Sequence, residues 1–157
     1  YAITTGDGDD KIGLGTGTDT VDAGDGNNTV HLVDTVTPAE AGDKDILTGM
    51  GNDWVQTGNG NDRLNLGTNA GSDADFDIVT SGGGTDILVL NEGSGYLSIT
   101  DFSQGNDQLE ISGLTFGDLT INTLTGSDRT LVFRDDDLLA ELQGFTGTLT
   151  AADFAAV

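Results

Sequence analysis

Cysteine is absent from this chain, which removes disulfides and thiolate metal sites together. Bases are scarce as well: Lys11, Lys44, Arg63, Arg129 and Arg134 are scattered, and without clustered positive charge nucleic acid is excluded as a partner. No apolar run approaches membrane-spanning length, the longest aliphatic stretch being Ile87 to Leu90, so membrane insertion is not expected. Hydrophobic residues make up only 35% of the 157 positions. A single domain of this size buries roughly 70% of the surface its unfolded chain exposes, so this one must do so with a lean core. The chain opens at Tyr1 without Met, and a missing N-terminal signal therefore says nothing about export.

What is present is acid and glycine. Twenty-seven acids against five bases leave a net charge of -22, and 25 residues are glycine. Low hydrophobicity with high net charge is the composition of a disordered chain, which cannot bury enough apolar surface to offset its ordering entropy. Either the chain stays unfolded or something cancels the charge. Because the acids recur at fixed spacing instead of forming a block, they are placed as ligands are placed, which favours cations over a basic macromolecule.

The spacing is a nine-residue grammar. TGDGDDKIG (5 to 13), LGTGTDTVD (14 to 22), AGDGNNTVH (23 to 31), TGMGNDWVQ (48 to 56), TGNGNDRLN (57 to 65) and SGGGTDILV (81 to 89) all carry glycine at positions 2 and 4, Asp or Asn at position 6 and an aliphatic at position 8. Repeats of this length cannot hide an apolar side chain alone and must stack as coils of a solenoid. Ile12, Val21, Val30, Val55, Leu64 and Leu88 fill position 8, each a short half-buried strand. Ahead of each strand the glycines permit positive φ and leave carbonyls uncovered, so a six-residue loop can turn several oxygens to one point, where position 6 adds a carboxylate. Such an oxygen set suits a hard cation. Calcium takes roughly six to eight oxygens, whereas softer metals want His or Cys, and one His with no Cys argues against them. An EF-hand is excluded, because Asp73-Ala74-Asp75-Phe76-Asp77 runs into Ile78 and lacks the loop glycine and terminal Glu.

These repeats resemble the repeats-in-toxin, or hemolysin-type, calcium-binding β-roll, whose nonapeptide is G-G-x-G-x-D-x-U-x. The resemblance implies an all-β fold: a right-handed parallel β-roll over residues 1–90, in which two nonapeptides make one coil, followed by a β-rich capping region over 91–157. It implies several calcium ions between loops stacked on one edge. Asp10, Asp19, Asp53, Asp62, Asp77 and Asp86 would be side-chain ligands, with Asn28 as a neutral member. The glycine pairs Gly6 and Gly8, Gly15 and Gly17, Gly24 and Gly26, Gly49 and Gly51, Gly58 and Gly60, and Gly82 and Gly84 would shape the loops.

There are departures from the pattern. Position 1 is Thr5, Leu14, Ala23, Thr48, Thr57 and Ser81 instead of glycine, which predicts weaker sites. Around Pro38, between residues 32 and 47, the pattern lapses, and AGDKDIL puts Lys44 where the register asks for Asp unless a one-residue slip offers Asp45. Fifteen residues separate Asp62 from Asp77, so six extra residues within 67 to 76 should bulge from the roll.

After Leu90 the text changes to alternation at Leu97 and Ile99, Leu109 and Ile111, Leu119 and Ile121, and Leu131 and Phe133, with turns such as Gly126-Ser127-Asp128 and Asp135-Asp136-Asp137. Most aromatics lie here, so the main hydrophobic core is expected in 91–157. Thr150 and Asp153 fit a capping box opening a short helical turn. The stretch ITDFSQGNDQLEISGL (99 to 114) resembles the segment that follows the repeats in many family members, and Asp153 to Val157 resembles the C-terminal ends of proteins exported by type I secretion. His31 and Trp54, at positions 9 and 7, read as outward-facing.

Regularly placed carboxylates are claimed by the repeat, and no nucleophile, acid and base pair or open metal position carries a motif, so the segment reads as non-catalytic. Two functions fit. One is the calcium-binding module of a secreted bacterial protein, folding on calcium outside the cell beside upstream domains of the same chain. The other is a calcium-dependent structural subunit of a surface layer, adhesin or filament, in which rolls self-associate.

Overall fold

The computed structural model describes residues 1–33, 37, 39, 41–67 and 75–155. Fifteen strands follow in order: β1 (Ala2–Thr4), β2 (Lys11–Leu14), β3 (Gly17–Asp22), β4 (Thr29–Leu32), β5 (Ala41–Leu47), β6 (Trp54–Gln56), β7 (Arg63–Asn65) and β8 (Asp75–Thr80). The series continues with β9 (Ile87–Leu90), β10 (Gly95–Ile99), β11 (Gln108–Ile111), β12 (Thr120–Leu124), β13 (Arg129–Arg134), β14 (Asp137–Gln143) and β15 (Phe154–Ala155).

From β1 to β11 consecutive strands alternate between two sheets, ordered β1-β3-β5-β7-β9-β11-β15 and β12-β13-β14-β10-β8-β6-β4-β2. All neighbours are parallel except β12 with β13 and β13 with β14. The architecture is the expected parallel β-roll. Since β2 pairs with β4 and not with β3, two nonapeptides complete one coil, and repeats one and three stack on one edge. Position 8 then forms two columns, Ile12, Val30, Val55, Val79 and Ile99 in one sheet and Val21, Ile46, Leu64, Leu88 and Leu109 in the other. All ten are at most 5% exposed.

Those columns correct the expectation that the main core lies in residues 91–157. Twelve of the 22 buried apolar residues of the single core cluster precede residue 91. One aliphatic per strand suffices because coils stack at the spacing of paired strands, about 4.8 Å, and each inward Val, Leu or Ile contributes roughly 1.5–3 kcal/mol.

The lapse at residues 32–47 leaves a one-residue irregularity between Gly17, which pairs with Ala41, and Asp19, but it does not bring Asp45 into the column. Asp19 pairs with Lys44 and Thr20 with Asp45, so Lys44 holds position 6 and Ile46 position 8, and Asp45 is exposed. Pro38 and most of the bulge expected within 67 to 76 lie outside the described residues, as do Ala156 and Val157 of the tail.

Parallel stacking continues beyond Leu90 through β10 and β11. The chain then closes the end with the antiparallel hairpins β12-β13 and β13-β14, and β14 docks parallel on β10. Asp128 and Asp135 take φ of 50° in the two hairpin turns, where a short polar side chain tolerates the left-handed region. In β13 the buried positions are Thr130 and Val132, while Leu131 and Phe133 are half-buried. Edge-to-face pairs such as Phe102 with Phe145, 5.5 Å between centroids, pack this end. The expected capping box is present: the Thr150 N–H and hydroxyl donate to Asp153 Oδ2 at 2.7 and 3.0 Å, opening a single 3-10 turn over Ala151–Asp153.

Candidate metal centre

Stacking the coils brings the position-6 residues into two columns at the loop edges. On one edge the Asp10 N–H donates to Asn28 Oδ1 (3.1 Å), Asn28 N–H to Asp53 Oδ1 (2.7 Å) and Asp53 N–H to Asp77 Oδ1 (2.8 Å). Along the other, Lys44 N–H donates to Asp62 Oδ1 (2.7 Å), Asp62 N–H to Asp86 Oδ1 (2.9 Å) and Asp86 N–H to Asp107 Oδ1 (3.2 Å). Each acid thus spends one oxygen satisfying the loop of the preceding coil, a local reason for an Asx side chain at this position.

The second oxygen is left over. Oδ2 of Asp53, Asp62 and Asp86 is buried without a hydrogen-bond partner, and the residues are 2%, 2% and 0% exposed. Burying a charged oxygen without a partner costs several kcal/mol, and native proteins rarely leave one so. Burial pushes the Asp53 and Asp62 carboxyls up to about 6 and Asp77 up to about 8, and it raises Asp86 and Asp107. Neighbouring acids add to it: Asp75 repels Asp53, while Asp53 and Asp75 both repel Asp77.

The position-1 side chains that depart from glycine face the same place. Thr48, Thr57 and Ser81 are at most 1% exposed. The Thr57 hydroxyl donates to Ser81 O at 2.9 Å, whereas the hydroxyls of Thr48 and Ser81 have no aligned partner. Each of the three still sits near enough to the acid of its own loop, Asp53, Asp62 or Asp86, to offset part of its rise. They add buried oxygens to the loop instead of crowding it.

Glycine is required because successive loops touch. A Cβ on Gly51 would overlap the carbonyl of Gly26, and Gly51 has φ of 128° besides; Gly84 stands likewise over Gly60 with φ of 134°. Gly24 over Gly6, Gly26 over Gly8 and Gly82 over Gly58 repeat the arrangement. Gly15 and Gly17 belong to the loop that carries Asp19, and Gly49 packs on Gly24. The carbonyls of the position-2 and position-4 glycines accept no side-chain hydrogen bond in the loops of Asp53, Asp62 and Asp86 among the described residues.

Lys44 is a full member of its column, in the first of the two registers the sequence left open. Two features went unread in the sequence. Residues 102–110 form a further repeat, with Gly105 (φ 87°), Asp107 and Leu109 at positions 4, 6 and 8 and Leu109 paired with Leu88. Position 5 makes a second, outer column: Asp9 Oδ1 accepts from Asn27 N–H (2.8 Å), Asn27 Oδ1 from Asn52 N–H (2.9 Å) and Asp43 Oδ1 from Asn61 N–H (2.7 Å). The signal was there in the run of Asp and Asn at position 5. Outside the columns, Trp54 is 38% exposed with its ring 6.1 Å from that of half-buried His31. Among the described residues no three His, Cys, Asp or Glu side chains converge as a metal cluster by themselves, so any cation would draw on the loop carbonyls too.

Fold and site together define a parallel β-roll whose loop edges carry columns of buried carboxylates. No protein-family model matches the chain, and no curated protein matches it. Among solved structures it is similar to the AlgE6R3 subunit of the Azotobacter vinelandii mannuronan C5-epimerase, at 18% identity and a TM-score of 0.46, over 95% of this chain and 78% of that one. The extracellular lipase LipA of Serratia marcescens matches at 12% identity and a TM-score of 0.36, over 98% of this chain and 40% of the lipase. The AlgE6R2 subunit of the epimerase matches at 21% identity and a TM-score of 0.37, over 98% and 91%.

Proposed function

We propose that this chain is a calcium-binding β-roll module, of the repeats-in-toxin kind, that folds when it meets calcium outside the cell and serves a larger secreted protein without catalysing a reaction itself. The observation that carries this reading is the set of buried, unpartnered Oδ2 atoms on Asp53, Asp62 and Asp86. Oxygen-only donors in glycine loops suit a hard cation. Asp53, Asp62 and Asp86 with the carbonyls of their loop glycines would hold the ions, Asp77 would add a carboxylate beside Asp53, and Asp10 would contribute at the end of its column.

Charge supports the same reading. Four of the five bases are already committed to ion pairs, Lys44 with Asp19, Arg63 with Glu110, Arg129 with Glu141 and Arg134 with Glu92, so the net charge of -22 has no internal remedy. An ion that binds only the folded form stabilises it by about 2.7 kcal/mol per site at 100 times its Kd, and several sites act together. Extracellular calcium modules work at roughly 10⁻⁴ to 10⁻³ M, above cytosolic calcium, so folding is deferred until export.

Far-UV circular dichroism during a calcium titration, after exhaustive chelation, tests the reading. Strand signal should rise cooperatively with calcium, and magnesium should be a poor substitute because it demands near-ideal octahedral geometry and keeps its waters. A full strand spectrum in chelator, or equal midpoints for the two ions, would remove the reason for naming calcium.

A further inference from the structure

Two loops of the roll already hold a donor supplied by the chain. In the loop of Gly15, Gly17 and Asp19, the ammonium of Lys44 reaches back from the next coil. Its Nζ donates to Gly15 O at 3.2 Å and to Gly17 O, and lies 3.0 Å from Asp19 Oδ2, a charge contact whose angles are not those of a hydrogen bond. The Lys44 side chain is wholly buried. In the neighbouring repeat Asn28 Nδ2 donates to Gly24 O and Gly26 O, both at 3.0 Å. In both loops a nitrogen donor therefore sits on the carbonyls of positions 2 and 4, where these carbonyls converge.

A buried lysine is costly unless paired and hydrogen-bonded, and this one is both. Its ammonium meets two carbonyls through hydrogen bonds and one carboxylate through charge, the same oxygen types found in the loops of Asp53, Asp62 and Asp86, where the carboxylate Oδ2 atoms are unpartnered and, of the carbonyls, Gly58 O accepts the Gly83 N–H at 3.2 Å. We propose that Lys44 is a tethered cation: its ammonium occupies the carbonyl cradle of residues 15–19 in place of a divalent ion, so this loop takes up no calcium, and removing Lys44 in favour of a carboxylate opens a calcium site there. The inference rests on the calcium reading of the other loops. It reassigns Asp19, expected as a metal ligand, to a partner of Lys44.

Lysine modification provides the test on the unaltered chain, because only Lys11 and Lys44 carry side-chain amines. In saturating calcium an amine acylating reagent, followed by peptide mass spectrometry, should label Lys44 at least ~10-fold more slowly than exposed Lys11, since labelling requires the loop to open. Calcium stoichiometry by calorimetry adds a second arm. Asp19→Asn should leave the number of bound ions unchanged, and Lys44→Asp should raise it by one. Should Lys44→Asp fail to fold, the labelling ratio and Asp19→Asn still decide. Lys44 labelled as fast as Lys11, or one ion lost in Asp19→Asn, would overturn the tether while leaving calcium binding elsewhere intact. Wild-type protein that takes up no calcium at all would instead overturn the reading beneath it, and the tether with it.

Discussion

The loop edges of the roll and the hairpins that close its end handle charge in opposite ways. Along the edges, Asp53, Asp62 and Asp86 are buried with one oxygen spent on a backbone N–H and the other unpartnered. In the closing hairpins buried Glu141 meets half-exposed Arg129 at 3.0 Å, and packing falls to Val132, Leu139, Leu142 and the aromatic pairs. One region buries carboxylate oxygens that no group of the chain meets; in the other the buried acid is paired with arginine, and Asp128, Asp135 and Asp136 stand exposed to water. Stability should therefore depend on solution conditions at the edges and hardly at all in the hairpins.

Core truncation gives the largest effect and separates the regions by where it can be seen. Leu88→Ala in β9 and Leu142→Ala in β14 should each cost roughly 2–5 kcal/mol in saturating calcium, read as a fall in Tm. In chelator Leu88→Ala should change little further, because its coil is already loosened, whereas Leu142→Ala should still lower whatever protection the hairpins retain.

Removing one buried charge comes next, and its sign should invert. Asp62→Asn keeps an Oδ1 acceptor for the Lys44 N–H and deletes the uncompensated charge. Without calcium it should raise stability by about 1–3 kcal/mol, and with calcium it should weaken affinity at least ~10-fold. Glu141→Gln, which neutralises a buried carboxylate that Arg129 already compensates, should cost about 1–2 kcal/mol, and equally in both conditions. Calorimetry and thermal melts with and without calcium read both variants.

Acidity sharpens the contrast further. The Asp77 carboxyl at about 8 and those of Asp53 and Asp62 at about 6 lie above the ordinary 3.8, so between those values the metal-free fold binds more protons than the unfolded chain. Stability without calcium should therefore rise as pH falls from about 8 toward about 4, and be lost as pH climbs back. Protons compete for the same oxygens, so the calcium midpoint should move upward over the same interval. Circular dichroism melts across pH, in chelator and in calcium, check both directions.

The smallest effect concerns the pairing of repeats. Asn28→Asp replaces the Nδ2 donor with a second carboxylate oxygen facing Gly24 O and Gly26 O, and should lower the calcium midpoint a few-fold. A double-mutant cycle should couple positions 10 and 28, which are joined by the hydrogen bond from the Asp10 N–H to the Asn28 side-chain Oδ1, more strongly than 10 and 19, where distant sites add within ~0.5 kcal/mol.

The roll was legible because its grammar is strict. Glycine at two fixed positions and an aliphatic at a third specify loop, strand and register together, and the expected eighteen-residue coil is found between β1 and β3, β2 and β4, and β5 and β7, the other coils being longer. Lys44 was legible as one of two registers, because Glu40 stands where the pattern wants glycine and a base stands where it wants an acid, and stacking against Asp19 decides for it over Asp45. The repeat at 102–110 was hidden similarly by Ser103 at position 2. Docking of β14 on β10, some 43 residues apart in register, depends on long-range packing that no local pattern encodes. The unpartnered carboxylate oxygens could not be read at all, since a sequence shows that an acid is present and not which of its oxygens is spent.

Residue-resolved hydrogen exchange before and after chelation tests most directly whether the loop edges need a cation that the hairpins do not. The amides of Asn28, Asp53, Lys44 and Asp62 donate to the column carboxylates, and those of β13 and β14 to one another. Chelation should speed exchange of the column amides far more than that of the β13-β14 ladder, with full recovery on adding calcium. Column amides that stay as protected in chelator as in calcium would contradict the account.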